Sequence, residues 1–130
     1  MDTPKKILIV DDDSFLLDMY ALKFTQAGYT VDTALGPKIC LEKLRGGLVP
    51  DIMLMDIVMP EMDGFEMLEV INAEGLIAHT IKIVLSNRGQ SADVARGQAL
   101  GVSGYIVKAN TTPTEVIGRV AEIITTKKTA

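Results

Sequence analysis

The feature that most constrains the fold of this chain is an unbroken apolar run, Ile52 to Met55, that ends abruptly at Asp56. Such a run is typical of a strand covered on both faces, as in a parallel sheet, because neither face meets water. Pro60, Asp63 and Gly64 then break the chain into a loop. A single carboxylate therefore follows a buried strand, although an Asp at this place is also a common turn residue or helix cap.

Apolar runs and segments of helical periodicity alternate along the whole chain. The other strand-like runs are Ile7 to Val10, Tyr29 to Leu35, Ile81 to Leu85 and Tyr105 to Val107. The helical segments are Phe15 to Ala27, Gly36-Pro37 to Gly46-Gly47, Gly64 to Ala73, Ser91 to Leu100 and Pro113 to Thr126. This alternation predicts an α/β fold, a doubly wound parallel sheet with helices on both faces. For five strands, the flavodoxin-like strand order 2-1-3-4-5 is favoured.

Length and composition indicate a single globular domain. The 130 residues suffice for one core, and we predict one domain over residues 1–130 with its core at about 5–126. No apolar run approaches the roughly 20 residues of a membrane helix, and no signal peptide is predicted. The net charge of −4 argues against a nucleic-acid-binding face. The single cysteine, Cys40, excludes an internal disulfide and favours a cytoplasmic location.

Polar side chains follow four of the predicted strands. In the 2-1-3-4-5 order the ligand crevice lies where the first and third strands end, at Asp11-Asp12 and at Asp56. The fourth strand ends in Ser86 and the fifth in Lys108. Three carboxylates held together repel one another, and a divalent cation relieves that repulsion. Oxygen ligands without His or Cys favour Mg²⁺.

These groups together indicate phosphoryl chemistry. A metal ion, an ammonium and a hydroxyl are what a phosphoryl group on a carboxylate requires around its oxygens. Asp56 is the predicted nucleophile, because it ends a central strand and has no acidic neighbour. Each residue also has an ordinary interpretation: Asp11 to Asp13 could cap a helix, Ser86 could occupy a turn, and Lys108 could be a solvated loop cation. Their coincidence at four strand ends favours function.

Four motifs, ILIVDDD, LMDIVMPEMDG, IVLSN and ALGVSGYIVKA, resemble the receiver domain of two-component response regulators over roughly Lys5 to Thr126. The resemblance implies a magnesium site, a phosphoacceptor, a switch pair and a catalytic lysine. The implied metal ligands are Asp11, Asp12 (the more direct ligand of the two), Asp56 and the Val58 carbonyl. The implied phosphoacceptor is Asp56, the switch pair is Ser86 and Tyr105, and the lysine is Lys108.

By the same resemblance, a sensor histidine kinase or a histidine phosphotransfer protein supplies the phosphoryl group from a phosphohistidine. The domain would catalyse only its own phosphorylation and dephosphorylation, and would not be an enzyme for other substrates. Phosphorylation would switch a face for a downstream protein effector, without direct contact to nucleic acid or membrane. A phosphorylation-dependent dimer is left open. The weak helix Ser91 to Leu100, rich in small residues, is the expected mobile part of that face.

Three alternative functions would require other residues at these positions. A phosphorylation-independent docking module would be marked by loss of Asp56 or Lys108, and both are present. A haloacid-dehalogenase-like phosphatase needs a second Asp where Val58 stands. A flavodoxin-like cofactor binder would need a phosphate-binding loop where Asp11 to Asp13 stand, and those carboxylates repel phosphate.

Two residues depart from the family pattern. Asn87 stands where Ala or Gly is usual, and it predicts slower access to Asp56. Ala109 replaces the usual Pro, so we predict a trans Lys108–Ala109 peptide. Val58 and Arg88 occupy the positions that flank the path of hydrolytic water in the family, and a long-lived phosphorylated form is expected.

Overall fold

Strands and helices alternate in the computed structural model, which describes residues 5–129 and the side chains of residues 5–126. The strands are β1 Lys6–Asp11, β2 Thr30–Leu35, β3 Ile52–Met55, β4 Ile81–Ser86 and β5 Gly104–Val107. All neighbouring strands pair in parallel, in the order β2-β1-β3-β4-β5. The predicted fold class and strand order are confirmed.

The five predicted helices are all present. They are α1 Ser14–Gln26, α2 Pro37–Arg45, α3 Gly64–Ala73, α4 Ser91–Ala99 and α5 Pro113–Thr129. The predicted ends agree with these within one residue, which is the usual uncertainty of a fraying terminus, except at the end of α5, which extends three residues past the predicted Thr126. A short 3₁₀ helix, Lys108–Asn110, was not predicted. It is closed by the Thr111 N–H, which donates to the Lys108 carbonyl.

Two of the helix starts are fixed by acidic caps close to the acidic sheet edge. The Asp13 carboxylate accepts hydrogen bonds from the N–H groups of Phe15 and Leu16, and so begins α1. Asp63 and Glu66 form a reciprocal capping box that begins α3. These caps turn the chain sharply after β1 and after the loop that follows β3, so that both helices pack back against the sheet.

The core consists of two apolar layers, one on each face of the sheet. Alternate residues of each central strand enter opposite layers, so Leu8 and Val10 face one layer while Ile7 and Ile9 face the other. The first layer also contains buried side chains of α2 and α3: Leu41, Leu44, Phe65, Met67, Leu68 and Ile71. The second contains those of α1 and α5: Leu17, Tyr20, Phe24, Val116, Val120 and Ile124. The continuous apolar strands are therefore explained by helices on both faces.

Residues outside the acidic edge have the ordinary roles that their surroundings predict. Cys40 is completely buried, and burial raises the pKa of its thiol to about 12, which makes it an inert core residue. His79 is exposed. Lys82 is buried in β4. This strand was predicted from the sequence as an apolar run, and a buried lysine was not predicted. The Lys82 ammonium donates to the carbonyls of Ile77 and Thr80 at the amino end of that strand.

Gly64 provides a first prediction, because it packs directly against the backbone of Asp56. A Cβ atom at Gly64 would lie 2.5 Å from the Asp56 carbonyl oxygen and 2.9 Å from the Ile57 Cα. We expect Gly64→Ala to lower the free energy of unfolding by about 1–3 kcal/mol, as overpacking against rigid backbone does. Gly118→Ala is the matched control, because Gly118 lies in α5 with no atom within 4 Å of the added carbon.

The control should raise the free energy of unfolding by about 0.5–1 kcal/mol, the usual gain for Ala over Gly in a helix. Urea denaturation of the three proteins measures both changes. An equal effect of the two substitutions would show that the backbone behind Asp56 has room to move.

Candidate functional site

The acidic edge is formed because β1 and β3 are neighbours in the sheet. Asp11 is the last residue of β1, Asp12 follows it, and Asp56 comes directly after β3. Carboxylate oxygens of these three residues lie within 4.8 Å of one another. Asp11 and Asp56 are buried and Asp12 is exposed. The structure therefore brings the three predicted metal ligands with side-chain oxygens into one cluster that is open to solvent at Asp12.

Lys108 bridges the two buried carboxylates. It stands directly after β5, and its Nζ donates to Asp11 Oδ2 at 2.7 Å and to Asp56 Oδ2 at 3.2 Å. The exposed fractions of the Lys108, Asp11 and Asp56 side chains are 10%, 6% and 10%, so water screens these ion pairs only weakly. The ammonium thus joins the carboxyl ends of three strands.

Backbone amides hold the remaining oxygens of the buried carboxylates. Asp56 Oδ1 accepts hydrogen bonds from the N–H of Ile57 at 2.7 Å and of Val58 at 3.2 Å. Asp11 Oδ1 accepts one from the N–H of Asp13 at 3.0 Å. Each carboxylate is therefore oriented on one side by backbone and on the other by Lys108. The Val58 side chain is exposed, and the predicted role of its carbonyl as a metal ligand stays a prediction.

Burial and charge act against each other in this cluster. Burial raises the pKa of the Asp11 carboxyl, and the hydrogen bonds from Lys108 and from the Asp13 N–H oppose this only in part. Burial alone would lower the pKa of Lys108, but the hydrogen bonds and charges of Asp11 and Asp56 outweigh burial and raise it. The ammonium therefore stays protonated at neutral pH, while a negative charge on Asp11 is less favourable than on an ordinary exposed aspartate.

The donor set fits a hard divalent cation. Three carboxylates face a single ammonium, so two formal negative charges remain when all are ionised. The cluster offers oxygen atoms and no His or Cys ligand. Within residues 5–129 no hydrogen bond or ion pair engages the exposed Asp12 carboxylate, which leaves it available to an ion. The cluster can therefore hold a metal ion of the kind that prefers carboxylate oxygen.

Among the described residues, neither of the predicted switch residues is hydrogen-bonded to the carboxylates. Ser86 ends β4 and is completely buried, and its Oγ accepts a hydrogen bond from the Arg88 N–H at 3.3 Å. Tyr105 lies on β5, and its hydroxyl donates to the Arg88 carbonyl. The sequence predicted for Arg88 only that it flanks the path of hydrolytic water, by its resemblance to the family. No sequence signal marks its backbone as the shared partner of both switch residues, because that sharing depends on the path of the loop.

The structure also locates the two departures from the family pattern, Asn87 and Ala109. Asn87 is exposed in the loop after Ser86, and its effect on access to Asp56 stays a prediction. All peptide bonds among the described residues are trans, so the predicted trans Lys108–Ala109 bond is confirmed.

The profile of the response regulator receiver domain matches residues 7–121. This chain belongs to that family. The match includes the acidic pair, Asp56, the switch residues and Lys108, so the family and the site geometry concern the same residues. As a receiver domain, the chain is a phosphoacceptor module of two-component signalling.

Known relatives agree with this assignment. The receiver domain is 34% identical over 120 residues to the Regulator of RpoS of Escherichia coli K12, a match that covers 92% of this chain and 34% of that protein. It thus spans about a third of that relative's length. It is 38% identical over 105 residues to the chemotaxis protein CheY of Thermotoga maritima, covering 80% of this chain and 85% of that protein.

A solved structure shows the same fold. The chemotaxis protein CheY4 of Vibrio cholerae superimposes with a TM-score of 0.84 at 26% identity, covering 93% of this chain and 99% of that one.

Removal of Lys108 provides the second prediction. Near neutral pH, Lys108→Met should lower the free energy of unfolding by about 1–3 kcal/mol, because two buried carboxylates lose their ammonium partner. The loss should shrink as the pH falls and Asp11 becomes protonated, and burial already places the Asp11 pKa above its ordinary value. Towards alkaline pH, the parent itself should lose this stabilisation as the pH rises through the raised Lys108 pKa.

Denaturant unfolding at several pH values, without divalent cations, measures the Lys108→Met effect. Lys38→Met is the matched control, since Lys38 is exposed on α2. A destabilisation of the same size at about pH 3, where most carboxyls are protonated, and at about pH 8, where they are ionised, would contradict the electrostatic explanation.

Proposed function

We propose that the receiver domain takes a phosphoryl group onto Asp56 from a phosphohistidine in a Mg²⁺-dependent reaction. The observation that carries this proposal is the environment of Asp56. Its carboxylate is held between the Lys108 ammonium and two backbone N–H groups, beside two further carboxylates. A carboxylate fixed in this way is oriented for attack and has a cation in place for the charge that develops.

In the proposed reaction, an oxygen lone pair of Asp56 attacks phosphorus while the bond from phosphorus to the donor imidazole nitrogen breaks. The leaving electron pair stays on that nitrogen, and the phosphoryl group ends as an acyl phosphate. The N–H groups of Ile57 and Val58 hold the carboxylate in place. Lys108, which already contacts Asp56, supplies a positive charge near the transferred group.

Mg²⁺ is the cation that we propose for the acidic cluster. Asp11, Asp12, Asp56 and the Val58 carbonyl would hold it. When bound, the ion would offset the repulsion among the carboxylates and the charge of a phosphoryl group. The excess of three carboxylates over one ammonium supports this proposal, because a bound cation would offset that excess negative charge.

We infer that the domain catalyses only its own phosphorylation and dephosphorylation. The attacking group is a side chain of the protein, so the product of the first step is the modified domain itself. Ser86 and Tyr105 would report that modification, since both bind the segment that leads into α4. A downstream protein effector would then recognise the face made by α4, β5 and α5. Whether the phosphorylated domain dimerises through that face stays open.

The donor that we propose is a sensor histidine kinase or a histidine phosphotransfer protein. Exposed apolar side chains support a protein donor, because they stand at or just after the ends of three strands at the acidic edge. These are Phe15 in the first turn of α1, Leu35 at the end of β2 and Val58 after β3, exposed by 75%, 46% and 56%. A rim of this kind suits a protein surface that carries a phosphohistidine over the acidic centre.

Such a donor implies a cytoplasmic location, which remains part of the proposal. Within residues 5–129, none of the helices has the length and apolar character needed to cross a bilayer.

Phosphorylation of Asp56 is the third prediction. Intact-mass spectrometry after treatment with acetyl phosphate and Mg²⁺ should show one added phosphoryl group in the parent and none in Asp56→Asn. Asp18→Asn is the matched control, since Asp18 is an exposed carboxylate on α1. A phosphate yield in Asp56→Asn equal to the parent's would place the acceptor elsewhere. A parent that takes up no phosphate would favour the docking-module alternative.

Loss of the exposed ligand Asp12 is the fourth prediction. Asp12→Ala should weaken Mg²⁺ binding by about tenfold or more, as a change in a metal's coordination shell commonly does. It should leave the metal-free protein as stable as the parent or slightly more stable, because one repelling carboxylate is gone. Calorimetric titration with Mg²⁺ measures the first effect and denaturant unfolding the second. Unchanged Mg²⁺ affinity would show that the ion binds at another place.

A further inference from the structure

Arg88 is the point where both switch residues meet. Its N–H donates to Ser86 Oγ at 3.3 Å, and its carbonyl accepts from the Tyr105 hydroxyl. Ser86 is the last residue of β4, and Tyr105 lies on β5. A displacement of either switch side chain therefore acts first on the backbone of this one residue.

The Arg88 side chain is anchored on the two neighbouring helices. Its Nε donates to Asp93 Oδ1 at 3.0 Å, and its guanidinium carbon lies 5.8 Å from the centre of the Phe65 ring. Phe65 is completely buried in α3. Asp93 lies in the first turn of α4, and its other oxygen accepts the Gln90 N–H at 3.2 Å. One carboxylate thus both caps α4 and holds Arg88.

Helix α4 has little else to hold it. Gly97 is the only buried residue of α4 among those described. The other small side chains of the helix are exposed, so the helix buries little apolar surface. A Cβ atom at Gly97 would lie 3.0 Å from Val102 Cγ2, so the helix is packed closely at this one place. Arg96 also covers the Phe65 ring, at 4.7 Å from its centre. The amino end of α4 consequently depends on polar anchors, above all on the Arg88–Asp93 pair.

We propose that Arg88 is a positioning residue that couples the phosphoacceptor site to α4 and opposes activation. Its anchored side chain holds the segment between β4 and α4 in the arrangement in which the Arg88 N–H donates to Ser86 Oγ. For Ser86 to approach a phosphoryl group on Asp56 while it keeps this hydrogen bond, the whole segment must move. Because Arg88 makes all three contacts, that movement disturbs the Tyr105 contact and the Asp93 anchor and releases α4. The inference rests on the proposed function, because it concerns the response to a group on Asp56.

Thermodynamic linkage gives this proposal a definite sign. An anchor that stabilises the unphosphorylated arrangement must weaken the binding of any group that favours the other arrangement. Removing the anchor should therefore strengthen the binding of a phosphoryl analogue. A half-exposed ion pair and a cation–π contact together support a shift of roughly fivefold. Binding of Mg²⁺ alone should not change, because Arg88 contacts none of the carboxylates of the cluster.

The test is a titration with beryllium fluoride, which mimics a phosphoryl group on a carboxylate, in saturating Mg²⁺. Arg88→Gln removes the ion pair and most of the stacking. Asp93→Asn removes the charge that anchors Arg88 and keeps an oxygen for the Gln90 N–H. Arg96→Gln is the matched control, because it removes the other guanidinium over Phe65, and its side chain touches neither Ser86 nor Tyr105. Thermal unfolding of each variant confirms that it is folded.

We expect Arg88→Gln to bind the analogue roughly fivefold more tightly than the parent, Asp93→Asn to shift in the same direction, and Arg96→Gln to bind as the parent does. Without the analogue, amide exchange in residues 91–99 should be faster in Arg88→Gln. Equal affinities in the parent and Arg88→Gln, or weaker binding in that variant, would overturn the proposed role of Arg88. A parent that binds no analogue would instead count against the proposed function of Asp56.

Discussion

The contact of Lys108 with Asp11 and Asp56 is the interaction on which the acidic edge depends. Two carboxylates this close and this deeply buried would repel each other strongly without a cation between them. Because Lys108 follows β5 and the carboxylates follow β1 and β3, the ion pairs also bind together strands that are not all adjacent. The edge is therefore held by charge, whereas the rest of the sheet is held by apolar packing on both faces.

This arrangement leaves the site short of positive charge, and that shortage connects stability with function. A single ammonium offsets the two buried carboxylates only in part, and the exposed Asp12 adds a third. The same charges that make the metal-free edge unfavourable are the ones that, in the proposed function, would bind a divalent cation and, with it, a phosphoryl group. Repulsion among the carboxylates destabilises the edge locally. The two continuous apolar layers of the core stabilise the fold enough to offset that repulsion.

A second contrast separates the site from the surface that we propose responds to it. Asp56 is fixed by backbone hydrogen bonds and by Gly64, which lies too close to admit a side chain. Helix α4, by comparison, is attached through Arg88, Asp93 and few apolar contacts. A rigid reaction centre beside a loosely attached helix is what a switch requires. A small change at the centre can then shift the equilibrium between two positions of the helix.

Much of the fold and most of the site could be predicted from the sequence, because both follow from local pattern. The apolar run before Asp56, the alternation of strands with helical segments and the parallel topology place Asp11, Asp56, Ser86 and Lys108 at one edge. The burial of Cys40 was equally predictable from its apolar neighbours. Helix ends were less certain, and the 3₁₀ helix at Lys108 was missed because a single closing hydrogen bond has no clear sequence signal.

The tertiary structure alone decided which groups touch. Lys108 pairs with both Asp11 and Asp56, and Arg88 joins Ser86, Tyr105 and Asp93, through contacts that depend on loop paths and side-chain rotamers. Lys82 is buried in β4 although its residue type favours solvent, because the carbonyls of Ile77 and Thr80 accept hydrogen bonds from its ammonium. Periodicity in the sequence determines on which side of a strand or helix a residue lies. Which distant residue becomes its hydrogen-bond partner depends on how the elements pack together.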